Sequence, residues 1–149
     1  SYLNLVRLGV PEEDISTILM ADHGLKLYGN AVIVNTDYAK NNSDMVKKFL
    51  VAIGAGWRDA IKDPKAAAAA LVKRNPAADA ALEQRRLQLA IDANVLTDYV
   101  KANGMGGVDS SRFAAAIEQL SETYEYKAAP NAALYFTDEY LPASGISLN

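Results

Sequence analysis

The sequence contains no cysteine and only one histidine in 149 residues. Without cysteine, disulfides, thiolate nucleophiles, iron-sulfur clusters and sulfur-ligated zinc sites are excluded. A single histidine leaves few routes to metal or triad chemistry. No apolar run approaches the roughly 20 residues that a membrane-spanning helix requires, because an acidic or basic residue interrupts each one. The sequence therefore implies no metal site and no cofactor.

An excess of positive charge is also missing. The chain carries 15 basic and 18 acidic side chains, a net charge of -3, and its basic residues are scattered. Nucleic acid is therefore an unexpected partner, since such partners require a basic stripe or patch. Half of the residues are hydrophobic and 22% are charged, which is a globular composition, and the length fits one core.

The first residues, SYLNLVRLGVP, contain neither an initiator methionine nor a charged leader followed by an apolar stretch. We therefore expect either that a targeting peptide has been removed or that the chain is a piece of something longer.

Helices should prevail after residue 52, where alanine, the strongest helix former, is abundant. Before that region, residues 2–8 are typical of the end of a helix stopped by Gly9. The remaining predicted helices start near Ser43 with Asn42 as the cap, at Pro64, near Leu82 and after Asp109. The helix from Leu82 is indicated by the regular spacing of Leu82, Leu89 and Leu96, and Gly104 ends it.

The predicted helix from Ser43 carries the only tryptophan, Trp57, on its apolar side. Aromatic residues at helical spacing are usually core residues, so we expect Trp57 to be packed. Gly54 and Gly56 are unfavourable inside a helix, and close approach of another helix would compensate for them.

Two short apolar runs are predicted to be buried strands, ISTILM at residues 15–20 and AVIV at residues 31–34. Fully apolar strands need cover on both faces and strand partners in a sheet. The sequence offers too few partners. We therefore predict an α/β fold that is mostly helical, with two or three strands, forming the C-terminal half of a larger protein.

The segment between these runs is the strongest candidate site. It contains an acid, an imidazole, a phenol and an amide, namely Asp22, His23, Tyr28 and Asn30. Ligands of open α/β proteins collect beyond strand ends, where such loops lie. We predict these four residues to contact a ligand, although ordinary turn chemistry would use the same residue types. A base role for His23 requires partners that the sequence does not identify, so no catalytic residue is assigned.

Two other motifs favour ordinary structure. The glycine-rich segment at residues 103–107 follows a helix instead of a strand, and Asp109 stands where a dinucleotide loop needs glycine. It is better explained as a helix end and turn. The acidic run at residues 12–14 is typical of a solvated turn.

The order and spacing of several motifs resemble the second half of the NMT1/THI5-like substrate-binding proteins of ABC transporters. The motifs are Asp22 with Gly24, Tyr28-Gly29-Asn30, Val46 with Phe49, Gly56-Trp57, Asp63-Pro64, Asn75-Pro76, the glycine turn 104–109 before Arg112-Phe113, and the closing segment 136–142. Each motif is weak alone, but the series covers residues 20 to 142. One departure is Ser43, where many relatives have proline.

The resemblance implies a two-lobed periplasmic binding protein fold of type II, with residues 1–21 ending the second lobe, residues 22–30 crossing the hinge and residues 31–149 forming the C-terminal part of the first lobe. It further implies a periplasmic protein, exported with a signal peptide that is then removed, which captures a small polar or anionic molecule such as nitrate, a sulfonate, taurine or a pyrimidine precursor. Such a protein is not an enzyme. Its partners would be that ligand and a membrane permease. Because the two apolar runs lack strand partners, we also expect the isolated chain to self-associate.

Two alternatives remain at this point. The family also includes pyrimidine-synthase-like enzymes, in which His23 would be a reactive group, although that branch carries a cysteine-rich iron motif and this sequence has no cysteine. The second alternative is a free-standing helical interaction module.

Overall fold

The computed structural model describes residues 2–128 and 130–148, and these residues are mostly helical. The helices are α1 Tyr2–Arg7, α2 Thr36–Asn41, α3 Ser43–Lys62, α4 Pro64–Arg74, α5 Ala80–Ala90, α6 Asp98–Asn103 and α7 Ser110–Thr123. Short 3-10 turns lie at Glu12–Asp14, Met20–His23 and Ala132–Leu134, and a π turn lies at Ile91–Val95. In the part described, no helix is both long enough and apolar enough to cross a membrane.

Local cap chemistry sets where most of these helices begin. A side-chain oxygen accepts a hydrogen bond from the first turn in five helices, and the capping residues are Asn35, Asp63, Asp79, Thr97 and Asp109. Such caps satisfy backbone N–H groups that have no partner inside the helix. The predicted starts at Pro64 and after Asp109 are confirmed.

The start of α3 at Ser43 is also confirmed, but by a different arrangement from the one expected. Asn42 does not cap α3; its Nδ2 donates instead to the carbonyl of Tyr38 at 3.1 Å, where the short helix α2 ends. The sequence analysis missed α2. Asn35, whose Oδ1 accepts from the Tyr38 N–H at 3.0 Å, is the signal that identifies it.

The prediction of a single helix from Leu82 to Gly104 is wrong, because the chain forms α5, a π turn and α6 there instead. Leu96 leaves the helical region, with φ -87° and ψ 49°, and Thr97 then caps α6. The regular leucine spacing concealed this cap. Gly104 does end the segment, with a φ of +76° that favours glycine.

Neither apolar run forms the strand that the sequence predicted. Residues 15–19 and 31–34 have irregular backbone, and Met20 begins a 3-10 turn. Within the described residues, the only β pairing is an isolated antiparallel bridge between Met105 and Ile146. Neither run is paired with another segment of residues 2–128 and 130–148, and Ile33 is 92% exposed. A strand is stable only within a sheet, so an apolar run without partners stays unpaired.

The buried part of the molecule is small. The buried apolar residues are Leu3, Ala39, Val46, Ala68, Ile91, Ala116, Ile146 and Leu148. Trp57 is only half-buried, which corrects its predicted core position, and Phe49 on the same helix is 55% exposed. Core residues come from distant parts of the chain, and the C-terminal segment contributes two of them.

The C-terminal segment ties α3 to the loop after α6. The Met105 and Ile146 backbones exchange hydrogen bonds of 2.8 and 2.9 Å. Arg58 of α3 donates from Nη1 to the Ser147 carbonyl at 2.8 Å. These contacts place the turn at Gly104 and the start of α7 at a fixed distance from the longest helix.

Candidate functional site

The predicted ligand-binding turn lies along α7. Arg112, in the first turn of that helix, donates from Nε to the Lys26 carbonyl at 2.7 Å and from Nη2 to the Leu27 carbonyl at 2.9 Å. Farther along α7, the Gln119 side chain donates to the Gly24 carbonyl at 3.2 Å. Side chains on one face of α7 therefore hold the backbone of residues 24–27.

Tyr28 is the part of the turn that is most closely packed. Its hydroxyl oxygen accepts a hydrogen bond from the Asp109 backbone N–H at 2.7 Å. The Arg112 guanidinium lies over the ring, 4.4 Å from its centroid, and the Phe113 ring meets it edge-on at 6.2 Å. Tyr28 is half-buried as a result, and its hydroxyl proton has no acceptor within the part of the chain described.

The other three predicted site residues are exposed. Asp22 and His23 belong to the 3-10 turn Met20–His23, which ends at Gly24 with a φ of +93° that favours glycine. Asn30 follows Tyr28 at the other end of the turn. Across residues 2–128 and 130–148, no hydrogen bond joins any two of the four predicted side chains. The structure therefore places them on one turn without assembling them into a closed site.

Asp109 organises the end of α7 that meets the turn. Its Oδ1 accepts from the Ser111 hydroxyl at 2.5 Å and from the Arg112 N–H at 2.8 Å. These two hydrogen bonds hold the pKa of the Asp109 carboxyl below its usual range, and the bond from Ser111 has the larger effect. The ionised cap fixes the first turn of α7, from which the Arg112 side chain extends to the candidate turn.

Sequence reasoning did not identify Arg112, Asp109 or Gln119 as part of this site. Arg112 was noted only as part of a motif after the glycine turn. Because the contacting residues are separated by 81 to 95 positions, no local pattern shows that they meet.

A second polar cluster joins α1 to α5. Glu12 accepts from the Tyr2 hydroxyl at 2.5 Å and receives Arg85 Nη2 on both of its oxygens at 3.0 Å. The hydrogen bond from Arg85, followed by that from Tyr2, lowers the pKa of Glu12, while the bond to Glu12 raises the pKa of Tyr2. Residues 12–14 are exposed, as predicted, but Glu12 is bonded to two other elements.

An open apolar groove of about 300 Å³ lies between α3, α4 and α5. Its lining residues are Ile53, Gly56, Trp57, Ala60, Ala67, Ala68, Leu71, Glu83 and Leu87. The carboxylate of Glu83 forms an ion pair with Arg86, so the remaining groove offers apolar contact only. The groove explains why Trp57 is half-buried.

The residues that the structure describes contain no group of three or more histidine, aspartate or glutamate side chains placed to hold a metal ion. The candidate turn offers hydrogen-bonding groups instead, with Asp22 as an acceptor and Asn30 as both donor and acceptor.

Comparison with known proteins gives one match. Residues 2–67 match the family described as NMT1/THI5 like. This confirms the resemblance to the NMT1/THI5-like family over a segment that begins at α1, includes the whole candidate turn and reaches the first residues of α4. The match extends farther toward the N-terminus than the motifs found in the sequence, and it stops before the glycine turn at residue 104. No curated protein and no solved structure matches the chain.

Proposed function

We propose that this chain, which matches the NMT1/THI5-like family over residues 2–67, is the C-terminal portion of a solute-binding protein of a bacterial ABC importer. The protein captures a small polar or anionic organic molecule between two lobes, outside the cytoplasmic membrane, and delivers it unchanged to a membrane permease. In this proposal residues 1–21 end one lobe, residues 22–30 cross between the lobes, and residues 31–149 belong to the other.

The observation that carries the proposal is the environment of the candidate turn. Polar side chains at residues 22–30 lie between two apolar runs, and neither run has a partner among the described residues. Ile18 is 72% exposed and Ile33 is 92% exposed, which is unusual for residues of this type. A second lobe that pairs with both runs would cover them and would place the turn at the junction of two lobes.

The chemistry of the turn favours a small polar solute. The Asn30 amide and the free proton of the Tyr28 hydroxyl supply donors to a carboxylate, sulfonate or nitrate oxygen, and Asp22 supplies an acceptor. Gly24, with φ +93°, gives the turn a backbone conformation that other residues rarely adopt. Closure of two lobes around such a turn buries the solute, and a few residues absorb the change in backbone angles.

The enzyme alternative requires a reactive His23. Its imidazole is exposed and forms no hydrogen bond to an acid or hydroxyl within the described residues. A general base is usually oriented by such a partner. Binding without conversion is therefore the function that the turn supports.

Small molecules that remain bound during purification test this proposal. The full-length protein would be purified, denatured and extracted, and the released solutes identified by mass spectrometry. We expect one dominant polar or anionic solute, recovered with an unchanged mass after prolonged incubation with the protein. Conversion of that solute into a product of different mass would favour the enzyme alternative. If the protein retained no solute and bound none that was added, the proposed solute binding would be contradicted.

A further inference from the structure

The long segment that carries the candidate turn is held to the rest of the molecule with little burial. Leu3 and Ala39 are buried, but every residue from 4 to 38 is at least partly exposed. Segments with few buried apolar contacts open at low free energy, well below that of global unfolding. Polar contacts must therefore determine where this segment rests.

Most of those contacts at the turn come from one side chain. Arg112 binds two successive backbone carbonyls, of Lys26 and Leu27, and also covers the ring of Tyr28. The other contacts are one hydrogen bond from the Gln119 amide, one from the Asp109 backbone and the edge-on Phe113 ring against Tyr28. Removing Arg112 would leave the turn without its two shortest side-chain hydrogen bonds to carbonyl groups.

We propose that Arg112 is a positioning residue, a latch that holds residues 24–28 against α7 and so sets where the polar side chains of the turn lie. Its importance for solute binding rests on the proposed function; its effect on the turn does not. Release of the latch would free the turn while α7 remains folded, because the Asp109 carboxylate caps the Arg112 N–H within α7 itself and Ala116 is buried on that helix.

The geometry requires a guanidinium. Its planar fork presents several N–H groups in fixed directions, so one group can reach two adjacent carbonyls while its face lies on an aromatic ring. A lysine ammonium is a point charge on a flexible stem and cannot satisfy all three contacts together. The latch therefore predicts that lysine at position 112 restores only part of the effect of arginine.

Limited proteolysis measures this latch directly. Trypsin cleaves after Lys26, whose carbonyl accepts the hydrogen bond from Arg112 Nε. The full chain would be digested without any added solute, and cleavage after Lys26 compared with cleavage after the exposed Lys127. We expect Arg112→Gln to raise the rate at Lys26 about tenfold, as the loss of one or two hydrogen bonds allows, and leave Lys127 unchanged.

Two further variants make the result specific. Arg112→Lys should give an intermediate rate at Lys26. Arg74→Gln removes an exposed arginine that forms no hydrogen bond or ion pair within the described residues, and it should behave as the unchanged protein does. Circular dichroism and the urea midpoint should be nearly equal for all of them, because the latch adds no buried contact.

Equal cleavage after Lys26 in Arg112→Gln and Arg74→Gln would overturn the proposal. It would also be overturned if Arg112→Gln accelerated cleavage at Lys26 and Lys127 alike and lowered the urea midpoint, since Arg112 would then support α7 as a whole. A confirmed latch in a protein that binds no solute would refute the proposed function alone, so the two failures are distinguishable.

Discussion

The side chain of Ile146 fills the space next to Gly54 that any larger residue would need. Its Cγ2 atom lies so close to the position of a Cβ on residue 54 that the two atoms would clash, and Ile146 is 5% exposed. The glycine in the middle of α3 is therefore explained by the close approach of the C-terminal segment. The sequence analysis expected such an approach but assigned it to another helix.

This contact predicts opposite effects for two glycines of the same helix. Gly54→Ala should destabilise the protein, because overpacking costs about 1 to 3 kcal/mol and exceeds the gain of up to about 1 kcal/mol in helix propensity. Gly56→Ala meets nothing within 4 Å and should be stabilising by about 0.5 to 1 kcal/mol. Urea unfolding of both variants measures the difference.

A double-mutant cycle provides the control. Ile146→Ala removes the obstructing side chain, so in that background Gly54→Ala should no longer be destabilising. A cost that is the same in both backgrounds would show that Ile146 is not the residue that requires glycine at position 54.

The Glu12 cluster predicts a loss of stability in acid. The folded-state pKa of Glu12 lies below its ordinary value of 4.5, so the unfolded chain takes up the proton first. The stabilisation is therefore fully present above about pH 4.5 and is lost as the pH falls through the lower folded-state value. Urea unfolding of the unchanged protein and of Glu12→Gln should differ at pH 7, and the difference should shrink as the pH falls below 4.5, the ordinary pKa of the carboxyl. A difference that stayed constant with pH would show that the Arg85 contact adds nothing.

The unpaired apolar runs predict that the isolated 149-residue chain self-associates. Ile18, Met20 and Ile33 are 72%, 65% and 92% exposed, and an unpaired backbone beside them can pair with another copy. Light scattering after gel filtration should give a mass above 16.0 kDa that rises with concentration. Ile33→Lys should reduce association without lowering stability. A monodisperse 16.0 kDa species that unfolds cooperatively would refute this prediction.

Local chemistry made part of the fold predictable. Asp63 and Asp109 are followed by sequences that begin helices, and a cap involves only residues three apart, so both starts were found. The break at Thr97 was missed because it lies inside a regular leucine pattern. The runs at residues 15–20 and 31–34 have the composition of strands, but composition does not supply the partner that a strand requires.

The candidate site, like the fold, was predictable only where residues close in sequence form it. Tyr28 and Asn30 stand out in the sequence because they occur with an acid and an imidazole in one short segment between two apolar runs. Arg112 does not, because its contact with Lys26 joins residues 86 positions apart. The structure also shows which substitution tests the Tyr28 hydroxyl. Alanine at this position would remove the ring that packs on Phe113, whereas Tyr28→Phe removes only the hydroxyl.

The central claim is that the turn at residues 22–30 is where this protein holds its solute. Calorimetric titration of the full-length protein with nitrate, taurine and an aminopyrimidine tests it most directly, using Asn30→Ala and, as a matched control, Asn94→Ala, an exposed asparagine in the π turn. We predict that one of these solutes binds, that Asn30→Ala weakens its binding about tenfold, as the loss of a hydrogen bond of about 1.4 kcal/mol would, and that Asn94→Ala leaves it unchanged. Binding that is equally tight in Asn30→Ala and the unchanged protein would contradict the claim.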